Sequence, residues 1–510
     1  MTIKNISQKV MLIILDGFGI NPNTNKNAIR DANKPYIDSL FQNYPFTTIQ
    51  AGGELVGLPK GVAGNSEVGH LNLGAGNAVR QDLVRINEAV AKKTLHSMDK
   101  LNELISFAQK NTKRIHLMGL LSDGNVHAHI KHIKEIISIL SEYKDLEIYL
   151  HAFMDGRDTN KTFGKKFVQE ICAVKGFYFA SMQGRSIGMD RDRRWEKIEH
   201  CYKTMTGQEA ITKLSPSDYI EAEYQKGIFD EFITPTLFDS RSAIQNNDAV
   251  FFMNFRPDRA RQLTLAMMDP TFKEFKINVK PGYFLCMSPY VPDEVTLPIL
   301  FDKEKIPGTL AQYLSQLGIG QLKIAETEKY AHVTYFFNGG EEKPFPKEKR
   351  ILVPSPKEVA TYDLLPEMSA FKVTEELMKE LDDQEIRVYI CNYANSDMVG
   401  HTGNYLAAIK AIEALDTCLK LVVEKAQALN VTVIVTADHG NSDQMVYEDG
   451  STHTSHSDAP VPFCVIHPSL KNSDLKPFEG DFALRDVAPT LLTILGLPIP
   501  SNMKGTSIYG

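Results

Sequence analysis

The chain has 510 residues, long enough to bury a large core and to hold two or more domains. Its 43% hydrophobic and 23% charged content is ordinary for a soluble globular protein, and a net charge of −7 gives no support for a nucleic-acid-binding surface. No apolar run approaches the roughly 18–20 residues of a membrane span, and the N-terminal run Val10–Leu15 is too short for a secretory signal and lacks a small-residue cleavage site, so a cytoplasmic protein is expected.

Apolar, β-branched runs predict strands at Val10–Leu15, Ile115–Leu120, Glu147–Phe153, Phe177–Ala180, Ala249–Asn254, Tyr283–Met287, Ile386–Cys391, Val431–Val435 and Pro462–Ile466. Helical periodicity lies between several of them, at Thr374–Leu381 and Tyr405–Ala428 for example. This alternation argues for an α/β protein with mostly parallel sheets covered by helices on both faces. Cys286, Cys391 and Cys464 fall inside strand-like runs, and none of the six Cys forms a CxxC pair; buried free thiols are expected. There is no internal repeat. Arg80–Asn87 and the charged, Pro- and Gly-containing Asp302–Gly308 read as linkers.

Candidate ligands stand at strand ends. Asp16 follows the first strand in the turn LDGFG. Asp397 and His401, in SDMVGH, are four residues apart, so a helix there would put both on one face. Asp438 and His439 follow the apolar run that ends at Thr436, at the edge where open α/β sheets bind ligands. His453 and His456 follow in HTSH, and one of the two is expected to be a ligand. Each segment also has a plain structural reading, as a turn Asp, a helix N-cap or a loop His. Together they supply oxygen and nitrogen donors for two divalent ions, without thiolate, a set suited to Mn²⁺ or Zn²⁺. Two such ions about 4 Å apart are the usual device for phosphoryl chemistry. The Gly-rich stretch Gly61–Asn77 carries Ser66. A helix starting near Ser66 would turn free N–H groups toward a phosphate, and metal coordination could activate the hydroxyl. The plain alternative makes Ser66 an N-cap with Glu67 in the first turn.

The motifs DG, GNSEVGH, SDMVGH, ADHGN and HTSH occur in this order, and between them stand LLSDGNVHAH, MDGRDT, MDRDRRW, FFMNFRPDRARQ and AETEKYAHVTYFFNGG. From Leu15 to the terminal MKGTSIYG the chain resembles the cofactor-independent phosphoglycerate mutases, within the alkaline phosphatase superfamily. The stretch Phe177–Asp192 is unusual only around Ser181–Gln183.

The resemblance implies two α/β domains: an alkaline-phosphatase-like metal domain, residues 1–80 and 307–510, with a substrate domain, 81–306, inserted into it. It implies Asp16, Ser66, Asp438 and His439 as ligands of one Mn²⁺, and Asp397, His401 and His456 as ligands of the other, with Zn²⁺ or Co²⁺ as alternatives. Ser66 would be the nucleophile that becomes a phosphoserine. His127, Arg157, Asp158, Arg185, Arg191, Arg256, Arg259 and Lys329 would bind substrate, with Asp158 as acid and base. The reaction would interconvert 3-phosphoglycerate and 2-phosphoglycerate in glycolysis and gluconeogenesis, in a monomer that needs no 2,3-bisphosphoglycerate, nucleic acid or membrane. Closure of the inserted domain about the two linkers would keep water from the phosphoserine. The residues support the clamp independently: phosphoglycerate carries a carboxylate and a phosphate, and planar guanidinium groups bind both bidentately. Competing readings are a two-metal phosphatase or phosphodiesterase, a mutase of a sugar phosphate, and a non-catalytic metal-binding protein. Because histidine ligands must be neutral, activity is expected to fall below about pH 6.5.

Overall fold

The computed structural model describes residues 3, 6–209, 211–303, 306–471, 477 and 480–509. Residues 304 and 305 of the expected second linker, and Gly510 of the terminal motif, lie outside the described residues. The chain divides into two compact units: Met1–Gln81 with Lys305–Gly510, and Asp82–Glu304.

The strands in chain order are β1 (Val10–Leu15), β2 (Phe46–Ile49), β3 (Arg114–Leu121), β4 (Glu147–Met154), β5 (Tyr178–Gly184), β6 (Thr236–Leu237), β7 (Ala249–Phe252), β8 (Tyr283–Cys286), β9 (Gly320–Glu326), β10 (Glu348–Val353), β11 (Ile386–Tyr393), β12 (Thr432–Thr436) and β13 (Val461–Ile466). The first unit holds a seven-stranded sheet in the order β10-β9-β11-β1-β12-β13-β2. Its first five strands are parallel, while β13 runs antiparallel to both β12 and β2. The central strands β1 and β12 are buried at every position, which is why they read as continuous apolar runs instead of alternating ones. The second unit holds a six-stranded sheet, β6-β5-β4-β3-β7-β8, parallel except at β6. The expected α/β class with mostly parallel sheets is therefore what the chain adopts.

The differences from the sequence reading have physical causes. Strands β2, β6, β9 and β10 escape it: β2 and β6 are short, β10 begins Glu-Lys-Arg at an edge, and β9 buries Gln321 and Lys323 inside its run. Lys323 donates to Asn338 and lies over the Phe337 ring, and Glu348 stands 3.6 Å away, so tertiary partners make a polar strand tolerable. Strand β5 runs on through Gly184, beyond its expected end at Ala180. Cys286, Cys391 and Cys464 are buried and free. Among the described residues, no helix is long and apolar enough to cross a membrane.

Candidate metal centre

A parallel sheet delivers the carboxyl ends of its strands to one edge. Asp16 follows β1, Asp397 and His401 lie on or just past the short helix Asn395–Gly400 after β11, and Asp438 and His439 follow β12. Because β13 is antiparallel, its N-terminal end lies at that same edge, and His456 sits in the loop before it. Ser66 opens the helix Ser66–Ala75, whose N-cap is the side chain of Asn65, accepting from the Val68 N–H. Ser66 is thus the first helical residue and not the cap, which leaves its hydroxyl free for the site. Gly69 lets this helix approach: a Cβ added there would stand 2.7 Å from the Asp438 Cβ and carbonyl oxygen. Gly17, at φ +75°, likewise packs its backbone against Asp397.

Around Ser66 the polar atoms converge. Its Oγ donates to Asp16 Oδ1 at 3.2 Å and lies 2.9 Å from His439 Nε2. Lys329 Nζ donates to Ser66 Oγ, Asp16 Oδ1 and Asp397 Oδ2, each at 2.7 Å. His439 Nε2 stands 3.4 Å from Asp16, 3.6 Å from Asp438 and 4.0 Å from Asp397. Beside them, Asp397 Oδ1, His401 Nε2 and His456 Nε2 lie within 3.1–3.4 Å of one another. His453 turns away to pack edge-on against Tyr447.

The electrostatics are those of a crowded anionic site. Burial, reinforced by Asp438, raises Asp16 to about 7. Burial opposes ionisation of Asp397 as well, yet Lys329 and His439 hold it well below the usual carboxylate range. Burial also opposes the charge of Lys329, but Asp16, Asp397 and Asp438 outweigh it and hold the ammonium on. The hydrogen bond to Asp397 raises His401. Three carboxylates thus share one ammonium. Asp438 Oδ2 is buried without a hydrogen-bond donor, and its nearest basic neighbour, His70 Nδ1, is 3.3 Å away. Two sets of donor atoms, Asp397–His439–His456 and Asp16–His70–Asp438, each lie within 4.8 Å of one another. Oxygen and imidazole donors, excess negative charge and an unsatisfied carboxylate oxygen together fit divalent cations.

The second unit gathers the opposite charge at the same kind of edge. His127 follows β3, Arg157 and Asp158 follow β4, Arg185 follows β5 directly, and Arg256 and Arg259 follow β7. Arg185 is buried, and its Nη1 donates to Asp155 Oδ1 at 2.6 Å and Asp158 Oδ2 at 2.5 Å. Asp258 collects Arg191 at 2.9 Å, Arg256 at 3.3 Å and His127 at 3.6 Å. Burial and the nearby Arg185 push His127 down to about 3, so it faces this cluster neutral. Arg259 donates to the Met189 carbonyl. Arg157 is 57% exposed beside Glu231.

Comparison with known proteins decides which chemistry this is. A model of the metalloenzyme superfamily matches residues 8–499. A 2,3-bisphosphoglycerate-independent phosphoglycerate mutase of Clostridium perfringens (strain SM101 / Type A) is 46% identical over 508 residues, covering 98% of each chain. One of Parabacteroides distasonis is 45% identical over 511 residues, covering 99% of this chain and 100% of that one. The chain belongs to the 2,3-bisphosphoglycerate-independent phosphoglycerate mutases. It is an enzyme, and a member of a metalloenzyme superfamily. A crystal structure of Leishmania mexicana phosphoglycerate mutase at low cobalt concentration aligns with a TM-score of 0.70 at 29% identity, over 99% of this chain and 98% of that one.

Within the first unit the structure brings Asp16, Ser66, Lys329, Asp397, His401, Asp438, His439 and His456 together, and within the second His127, Asp158, Arg185, Arg191, Arg256 and Arg259 share one loop edge. The two ligand sets named from sequence are not cleanly separate: His439 stands between them and stacks on His456. Sequence reasoning missed His70, Asn392, Asn441 and Asp155. His70 sits one helical turn after Ser66. Asn392 donates to Asp16 Oδ2 and Asn441 to Asp397 Oδ1, both at 2.8 Å. His70, Asp155 and Asn441 are polar residues of the motifs GNSEVGH, MDGRDT and ADHGN, whereas Asn392 is hidden in an apolar strand.

Proposed function

We propose that the protein interconverts 3-phosphoglycerate and 2-phosphoglycerate through a phosphoserine at Ser66, as a monomer in the cytosol, with two Mn²⁺ ions and no 2,3-bisphosphoglycerate. The metal-binding part is residues 1–80 and 307–510, and the substrate-binding part is 81–306. The observation that carries this reading is the Ser66 hydroxyl at the meeting point of Lys329, Asp16 and His439, 2.7–3.2 Å from each. Asp16, Ser66, Asp438 and His439 would hold one ion, and Asp397, His401 and His456 the other. Bound there, such ions neutralise charge on phosphoryl oxygens and lower the pKa of a coordinated hydroxyl.

The chain's own groups do the rest. With its hydroxyl proton lost to solvent at the lowered pKa that bound ions would supply, Ser66 Oγ forms a bond to phosphorus as the ester bond to the substrate's 3-oxygen breaks. Asp158 gives that oxygen its proton, and glycerate stays bound. Lys329, already a donor to Ser66 Oγ, stabilises the charge that develops between the attacking and leaving oxygens. Arg185, Arg191, Arg256, Arg259 and Arg157 bind the carboxylate and hold glycerate while its 2-hydroxyl replaces the 3-oxygen. Asp158 then takes the 2-hydroxyl proton, and the phosphoryl group returns. His127, kept neutral, can accept or donate a hydrogen bond without adding charge.

Incubation with 3-phosphoglycerate tests the reading. Formation of 2-phosphoglycerate without free phosphate is expected; glycerate and phosphate would instead mark a phosphatase. Metal analysis of protein purified without added metal, then reconstitution with Mn²⁺, Zn²⁺ or Co²⁺, identifies the ion.

A further inference from the structure

Under the guanidinium cluster of the second unit lies a row of polar side chains that the reaction does not use. Asp248, His116, His151, Ser181 and Gln183 are all fully buried. His116 Nε2 meets Asp248 Oδ2 at 2.9 Å, His116 Nδ1 meets His151 Nε2 at 3.0 Å, and His151 Nδ1 meets Ser181 Oγ at 2.8 Å. Ser181 Oγ lies 3.3 Å from the Gln183 side-chain amide. Such a row in an apolar interior is costly unless every member is satisfied.

One arrangement of protons gives every ring nitrogen of the row and the Ser181 hydroxyl a partner. Asp248 ionised fixes the His116 proton on Nε2. His116 Nδ1 must then accept, so His151 carries its proton on Nε2. His151 Nδ1 must accept in turn, and Ser181 must donate to it. With the Gln183 amide turned so that Nε2 faces Ser181 Oγ, that nitrogen gains the acceptor it otherwise lacks. Burial depresses both imidazoles, which agrees with two neutral rings.

The row also sits at a break in register. Leu150 pairs with Phe179, but His151 pairs with Ser181, so Ala180 is an extra residue in β5. A one-residue shift decides which face every later side chain occupies. Past the bulge, Ser181, Gln183 and Arg185 fall on the face of His151 and Asp155. Without it, Arg185 would leave the face where Asp155 and Asp158 hold its guanidinium.

We propose that the relay from Asp248 through His116 and His151 to Ser181 pins the bulge at Ala180, and that Ser181 and His151 are thereby positioning residues for Arg185. This rests on the reading of Arg185 as a substrate ligand, but its first test does not. Ring ¹⁵N NMR of the wild-type protein should find His116 and His151 both neutral with the proton on Nε2. A proton on His151 Nδ1, or a charged ring in either residue near neutral pH, overturns the relay whatever the enzyme catalyses. Ser181→Ala should move or broaden the Arg185 Nε–Hε resonance. It should also raise KM for phosphoglycerate about tenfold, the scale of one lost buried hydrogen bond, with kcat changed less. Ser181→Thr, which keeps the hydroxyl, should restore both. An unmoved Arg185 signal in Ser181→Ala, or a Thr variant no better than Ala, overturns the positioning role. If Ser181→Ala does not fold, His151→Gln is read in the same two assays. A moved Arg185 signal without mutase activity would instead count against the reaction proposed above and leave the relay standing.

Discussion

The two units use one architectural device for opposite charges. Each places its functional side chains in the loops at the carboxyl ends of parallel strands. In the first, Asp16, Asp397 and Asp438 crowd around a single ammonium, Lys329, and burial raises Asp16 to about 7. In the second, the five guanidinium groups of Arg157, Arg185, Arg191, Arg256 and Arg259 stand with the four acids Glu231, Asp155, Asp158 and Asp258. An excess of carboxylate suits cations, and an excess of guanidinium suits a carboxylate or a phosphate. The contrast teaches that the sheet edge supplies position only, and the loops choose the ligand.

The largest expected effect tests the anionic side. Ser66→Ala should lower mutase activity by about 10⁴-fold or more while bound metal is largely retained, since the nucleophile is lost but Asp16, Asp438 and His439 remain to hold the ion that Ser66 would share. Substantial activity in that protein would remove the phosphoserine from the mechanism. Asp397→Asn should go further in metal content, leaving about one ion where two bound, as measured by elemental analysis.

On the cationic side, Arg185→Lys should lower kcat/KM about 100-fold. One nitrogen, Nη1, meets both Asp155 and Asp158, and a lysine has no second terminal nitrogen left to offer a substrate anion. An effect concentrated in KM would support a binding role.

The charge imbalance of the first unit predicts a pH dependence for metal-free protein. Asp16 holds its proton in the folded state up to about 7, well above the usual carboxylate value. The unfolded chain loses that proton sooner, so the contribution of Asp16 to stability is greatest at low pH and falls as pH rises through about 4–7. Chelator-treated Asp16→Asn should therefore gain on wild type in thermal unfolding as pH is raised across this window. A constant difference across it would show that Asp16 is ionised throughout. The smallest effect is expected for Arg261→Ala. Arg261 belongs to the same FRPDRAR run, but it pairs with Glu294 and the Tyr290 carbonyl, away from the other guanidinium groups. Its loss should change KM less than about twofold.

The chain itself determined the α/β class, the strand-end acids and the single prominent serine, because a buried parallel strand needs a continuous apolar run and its loop begins where the run stops. Tyr405–Ala428 was legible to the residue, since 24 residues of helical periodicity admit no other reading. Strands β9 and β10 were not, because Lys323 and the charged edge become tolerable only through Asn338, Glu348 and neighbouring strands. Tertiary structure alone decided which donors meet. Asp16 and Lys329 are 313 positions apart in the chain and 2.7 Å apart in space. It also decided that His439 stands between two ligand sets, that Asn392 steadies Asp16 from inside an apolar strand, and that one extra residue at Ala180 aims Arg185. Periodicity records what a side chain must avoid, which is water or the core. It does not record which distant partner makes a buried charge or hydrogen bond acceptable, and in both units those partners build the site.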